Sequence, residues 1–266
     1  MARFTCSFIS YALMRSVEIT VLIPTPTYPD MLGRGEFPAG EARHTPREKY
    51  PVLYLLHGVG NDHRAWTAYT NVELYAEENN IAVVMFSAEN KCYADQPGGD
   101  NFFRFLQEEL PDFVCGMFPI SHRMEDSYIA GLSMGGYGTL LHAFSAPERY
   151  MAAGAFSAAI HIDPLHFRRA AGSAQRAEAF DPLALIHTAI ESKKHVPKLY
   201  VACGEEDFLF SENVAFRDQL QELGADFTWD QEPGLGHEWR FWNSQIEKFL
   251  HWLPRTDFYA KRQRKC

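Results

Sequence analysis

A serine bracketed by glycines, Gly131-Leu132-Ser133-Met134-Gly135 within AGLSMGGYGT, is the pattern in this chain best suited to covalent chemistry. A serine hydroxyl is a weak nucleophile at neutral pH and becomes useful where a base takes its proton as it attacks. The spacing G-x-S-x-G meets that need when a sharp turn joins a strand to a helix, because the turn exposes the hydroxyl and the glycines let the backbone pass. Here the apolar run SYIAGL precedes Ser133 and a segment of helical character follows Gly136. An incidental serine in a glycine-rich turn is the competing reading, and those flanks count against it.

The base is expected to be a histidine, oriented in turn by a carboxylate. Seven histidines follow Ser133: His142, His161, His166, His187, His195, His237 and His251. His237 lies in PGLGHEW, between the strand-like DFTWDQ and a final amphipathic segment, on a loop that can swing toward the serine. His142 sits in the helix after the serine and His251 within the last helix, so both read as packing or surface residues. For the acid, the loop CGEEDFLF after PKLYVACG offers Asp207, with Glu205 and Glu206 as near rivals that composition does not eliminate. Asp181, in a proline-flanked turn, and Asp230, within a strand, are placed less well. Serine, acid, histidine is the chain order of α/β-hydrolases.

Charge that develops on a carbonyl oxygen during attack needs fixed donors. The run PVLYLL opens into His57-Gly58-Val59-Gly60, whose glycines let backbone N–H groups face the site. The donors are assigned to the backbone amides of Val59 and of Met134, the residue after the nucleophile. His57 is given a packing and loop-shaping role, since a metal would need more partners than the adjacent Asp62 and His63. Trp66, Phe208 and Trp239 stand near the expected site loops and are the candidate substrate-lining residues. No metal and no cofactor are called for.

The elements that must position these groups follow from periodicity. Short continuous apolar runs at PVLYLLH, IAVVMF, SYIAGL, MAAGAF and PKLYVACG suit parallel strands covered on both faces. Helical spacing separates them in VELYAEENN, FFRFLQEEL, the stretch after Gly136, and NVAFRDQLQEL, which ends at Gly224. A mostly parallel central sheet with helices on both faces results. Arg15 to Ile23 alternates and is rich in β-branched residues, which predicts an antiparallel strand at an edge. Pro111 predicts a kink or a new helix start. Residues 161–198 form either a small cap over the site or a crossover helix with a long loop, in one domain spanning 1–266; the cap is favoured because a crossover alone needs fewer residues.

Composition bounds the partners. With 46% hydrophobic and 22% charged residues in 266, the chain is long and apolar enough to bury a sizeable core. A net charge of −9 argues against nucleic acid, which needs excess Lys and Arg. The basic run Lys261-Arg262-Gln263-Arg264-Lys265 is read as a solvated tail. Five cysteines without a C-x-x-C pair form neither a disulfide framework nor a zinc site, and no apolar run has the length to span a bilayer. The expectation is a cytoplasmic protein acting on a small-molecule ester, without a membrane partner, for which a homo-oligomer remains open.

The blocks LYLLHGVGNDHRAW, TNVELYAEENNIAVVM, EELPDFVCGMFPISHRMEDSYIAGLSMGGYGTL, PKLYVACGEEDFLF and GHEWRFW occur in an order and spacing that resemble the tributyrin-esterase branch of the esterase D-like carboxylesterases. The resemblance covers nearly the whole chain and implies an α/β-hydrolase fold, the triad Ser133, Asp207 and His237, and oxyanion amides at Val59 and Met134. It thereby favours Asp207 over the two glutamates. It implies hydrolysis of short-chain acyl esters through an acyl-enzyme, with feruloyl or acetyl-xylan esters as the alternative. S-formylglutathione fits less well, because His57-Gly58-Val59 replaces the S-G-L such enzymes more often carry. Residues 161–198 match least. A non-catalytic binding module on the same fold is disfavoured by the intact Ser, Asp and His.

Overall fold

A computed structural model describes residues 1–35, 40–96, 98–162 and 181–262. Eight strands among them form one sheet: β1 (Ala2–Ser10), β2 (Arg15–Ile23), β3 (Val52–Leu56), β4 (Ala82–Phe86), β5 (Ser127–Leu132), β6 (Ala152–Phe156), β7 (Lys198–Gly204) and β8 (Phe227–Glu232). Their spatial order is β1-β2-β4-β3-β5-β6-β7-β8, and every pairing from β4 to β8 is parallel. This is the mostly parallel sheet that the alternation of apolar runs and helical segments predicts, in the α/β-hydrolase arrangement that the resemblance implies.

The pleat divides the core in two. On β3, Val52, Tyr54 and Leu56 face a layer that includes the helices α2 (Leu110–Met117), α3 (Met134–Ser145), α4 (Pro182–Glu191) and α5 (Phe210–Glu222). Leu53 and Leu55 face the opposite layer, of α1 (Val72–Glu78) and α6 (Trp239–Trp252). Strands β3 to β6 are buried along their whole length, so apolar residues at successive positions each find a covered face.

The expected edge of the sheet needs adjustment. Arg15–Ile23 is antiparallel but not the edge strand, because β1 pairs with it from Ala2↔Ile23 to Ser10↔Arg15. β1 carries little burial, holding its place through rings such as Phe8, whose centroid lies 4.0 Å from that of Phe113, and so shows a weak apolar pattern. At Pro111 a new helix does start: Phe105–Glu109 forms a π-helical turn, and α2 begins at Leu110 with Pro111 in its first turn. The Gln107 carbonyl, which a proline four residues later cannot satisfy, accepts instead from Arg149 Nη1 at 2.5 Å.

Within 161–198, α4 packs Ile186 and Ala189 into the same core layer as α3, as a crossover helix between β6 and β7. Residues 163–180, which include His166 and the Ala-rich patch of the expected cap, lie outside the described residues. So do most of the basic tail and Cys266. Among the described residues no helix is long and apolar enough to cross a membrane.

Candidate active site

Ser133 stands between the last residue of β5 and the first of α3, with φ 54° and ψ −116°. A non-glycine residue rarely holds that conformation, and the surrounding contacts must enforce it. Ser133 N–H donates to Phe156 O at 2.9 Å, while its own carbonyl accepts from Tyr137 N–H and Ala159 N–H. Both flanking glycines are sterically required: a Cβ at Gly131 would lie 2.5 Å from Gly135 O, and one at Gly135 would lie 2.6 Å from Leu56 O.

The histidine loop reaches the serine by crossing the end of β7. Leu235 O would lie 2.2 Å from a Cβ at Gly204, so only glycine lets the loop pass this close. His237 Nε2 then stands 3.1 Å from Ser133 Oγ, and His237 Nδ1 lies 2.9 and 3.1 Å from the two oxygens of Asp207. A carboxylate only accepts, so Nδ1 carries the proton and Nε2 is free to accept from the serine. The imidazole sits between the Phe208 ring, with centroids 4.5 Å apart, and the edge of Trp242, 5.0 Å away.

Asp207 is buried, which by itself raises its carboxyl pKa; hydrogen bonds from His237, Leu209 N–H and Ser157 outweigh that and hold it below the usual carboxylate value. Of the three neighbouring carboxylates it is the one His237 meets, since Glu205 is exposed and bound by Gln231 Nε2, and Glu206 is exposed. Behind it, burial pushes the Cys203 thiol up to about 12, so no second anion forms there.

The N–H groups of Val59 and Met134, the donors expected from the sequence, make no hydrogen bond among the described residues. His57 shapes that loop: its Nδ1 lies 2.7 Å from Gly58 O and its Nε2 accepts from Ala88 N–H at 3.0 Å. His142 is wholly buried and His251 is exposed against Glu247 O. Among the described residues no group of three or more His, Cys, Asp or Glu is placed to hold a metal.

The three aromatic candidates separate. Phe208 is 77% exposed beside His237. Trp239 is half-buried and stacks on the exposed Tyr69, with centroids 5.0 Å apart. Trp66 is 1% exposed, donates from Nε1 to Leu56 O at 3.0 Å and packs on Phe156 and Trp239, so it faces the core and not a substrate. Two contributors had no signal in the sequence. Ser157, at φ 45°, is buried beside Asp207 and accepts from Trp242 Nε1 at 3.2 Å, while Tyr93 Oη reaches His57 O in the loop after β3 from a separate turn.

Comparison with known proteins places these features in a wider set. The sequence model of the family described as "Putative esterase" matches residues 40–253. An acetyl esterase of Caldicellulosiruptor saccharolyticus is 30% identical over 227 residues, covering 79% of this chain and 85% of that protein. Fluorophosphonate-binding serine hydrolase F of Staphylococcus aureus superposes with a TM-score of 0.79 at 26% identity, over 95% of this chain and 98% of that one. An S-formylglutathione hydrolase of the same organism gives 0.76 at 26%, with the same coverage.

Proposed function

The chain belongs to this esterase family and is a carboxylic ester hydrolase, and from that premise we propose that it cleaves short-chain acyl esters through an acyl-enzyme on Ser133. The observation that carries the reading is the continuous hydrogen-bonded chain Ser133–His237–Asp207. Ser133 Oγ attacks the ester carbonyl while His237 Nε2 takes its proton. Asp207 keeps the proton of Nδ1 in place and stabilises the imidazolium. The carbonyl oxygen, now negative, accepts from Val59 N–H and Met134 N–H. His237 then hands its proton to the departing alkoxide, leaving acyl-Ser133 and free alcohol. Water repeats the sequence, giving up a proton to His237 and releasing the carboxylic acid, and Ser133 is restored.

The resemblance to tributyrin esterases and the 30% identity to an acetyl esterase support a small acyl group. A phenolic acyl group is the second reading, supported by the exposed Phe208 ring beside His237 and the stacked Tyr69–Trp239 pair. No step in either needs a metal or cofactor.

A panel of 4-nitrophenyl esters from acetate to octanoate, with methyl ferulate and S-formylglutathione, tests the proposal. The expected profile of kcat/KM peaks between acetate and butyrate, since each further methylene contributes about 0.8 kcal/mol only while it finds apolar surface. Steady climbing to octanoate, or preference for ferulate or the thioester, would overturn the short-chain assignment.

A further inference from the structure

Three successive carbonyls lead from β3 into the oxyanion loop, and each is held by a side-chain donor. Trp66 Nε1 donates to Leu56 O at 3.0 Å, Tyr93 Oη to His57 O at 2.8 Å, and His57 Nδ1 to Gly58 O at 2.7 Å. Ala88 N–H can only donate, so its bond to His57 Nε2 leaves the imidazole proton on Nδ1, and burial lowers the His57 pKa, which keeps that neutral form. A trans peptide directs its C=O and N–H to opposite sides. The described peptides are all trans, so pinning Gly58 O turns Val59 N–H the other way, and pinning His57 O does the same for the preceding unit.

Tyr93 does more than hold one carbonyl. Its ring lies so close to α3 that a Cβ at Gly138 would meet it at 2.5 Å, and its own carbonyl accepts from His142 Nε2 of α3 at 2.8 Å. The second proposed donor, Met134 N–H, begins that helix. Tyr93 is wholly buried and holds φ 60°, beside Cys92 at φ 53°, so the turn is kept in a conformation that costs free energy.

We propose that Tyr93 is a positioning residue that sets the spacing between the two oxyanion donors, fastened to α3 through its ring and carbonyl and to the Val59 loop through its hydroxyl, with Trp66 holding the carbonyl before it. The inference rests on the esterase reading above, in which Val59 and Met134 stabilise the developing oxyanion. Donors displaced by a fraction of an ångström still admit substrate and lose their grip on the transition state.

Tyr93→Phe removes one oxygen and keeps the ring on Gly138. With a 4-nitrophenyl acetate assay at a temperature where melting shows the variant folded, kcat falls roughly 10- to 100-fold with KM nearly unchanged. Inhibition by a trifluoromethyl ketone, whose serine adduct carries an oxyanion, weakens by a similar factor, and the pH profile of kcat/KM stays where it was. Trp66→Phe, which removes the donor to Leu56 O, lowers kcat and weakens that inhibition in the same way, with KM and the pH profile again in place, and serves if Tyr93→Phe does not fold. Unchanged kcat in a folded variant, or a loss carried by KM alone, overturns the inference. Wild-type hydrolysis by Ser133→Ala would instead defeat the underlying reading, so the two failures are told apart.

Discussion

His237 Nε2 lies 3.1 Å from Ser133 Oγ although 104 residues separate them in the chain. The parallel registers that produce this meeting run across the sheet: Leu132 at the end of β5 pairs with Phe156, Phe156 with Ala202, and Gly204 with Glu232. The C-terminal ends of β5, β7 and β8 therefore lie along one rim, and the loops that follow carry Ser133, Asp207 and His237. Open α/β sheets place their ligands at this rim.

Replacing Ser133 separates activity from stability. Ser133→Ala and Ser133→Gly are both expected to lose on the order of 10⁴- to 10⁶-fold in kcat. Alanine retains the strain of φ 54°, whereas glycine relieves it, so the glycine variant should unfold with about 1 kcal/mol more stability than the alanine variant. Denaturant melts of the pair decide this, and an alanine variant equal or superior in stability refutes the strain assignment. Residual ester hydrolysis above a tenth of wild type refutes Ser133 as nucleophile.

Asp207→Asn preserves shape but can offer His237 the wrong hydrogen-bonding face, with an expected loss of about 10⁴-fold in kcat. Glu205→Gln and Glu206→Gln leave kcat within a factor of about three, since both side chains are exposed and away from His237. Steady-state assays of the three variants check the assignment; severe loss in either glutamine variant moves the acid elsewhere.

Gly135→Ala puts a methyl group 2.6 Å from Leu56 O and 2.7 Å from His57 O, both backbone atoms that cannot rotate aside. The turn after Ser133 and the end of β3 must part, costing about 1–3 kcal/mol of stability and most of the activity. A calorimetric melt and an acetate-ester assay on one preparation test this, and a variant matching wild type in both refutes the packing account.

Acid should weaken the fold through His142. Burial lowers its imidazole to about 4, where Nδ1 faces Gln107 Nε2 and Nε2 donates to Tyr93 O. The unfolded chain binds a proton near pH 6.5 and the native one only near pH 4, so stability falls as pH drops through that interval and levels off below it. The contribution is about 3 kcal/mol, and the lowered pKa of His57 adds in the same direction. Unfolding free energies at pH 7 and 4.5 should differ less in His142→Gln than in wild type; an equal difference rules out this residue as the source.

Much of the fold was legible because its signals are local. Continuous apolar runs mark strands covered on both faces, and Gly131 and Gly135 mark a turn whose steric demands are met within five residues. The edge of the sheet was not legible, since β1 buries little and its pairing with β2 follows from the hairpin rather than from hydrophobic pattern. Pro111 announced the start of a helix but not the relief of Gln107 O, which comes from Arg149, 42 residues away.

By itself, then, the sequence determined the alternation of strands and helices after Arg15 and the presence of a serine, histidines and carboxylates on the loops that end at one rim. Periodicity and backbone crowding belong to neighbouring residues, so they are written in the chain directly. Only the tertiary structure decided where side chains point: that Asp207 turns inward to His237 while Glu205 and Glu206 turn out, that Trp66 faces the core, and that Tyr93 spans α3 and the loop after β3. Those directions come from packing between segments tens of residues apart, where burial and hydrogen-bond satisfaction must be met together, and no short stretch of sequence contains both partners.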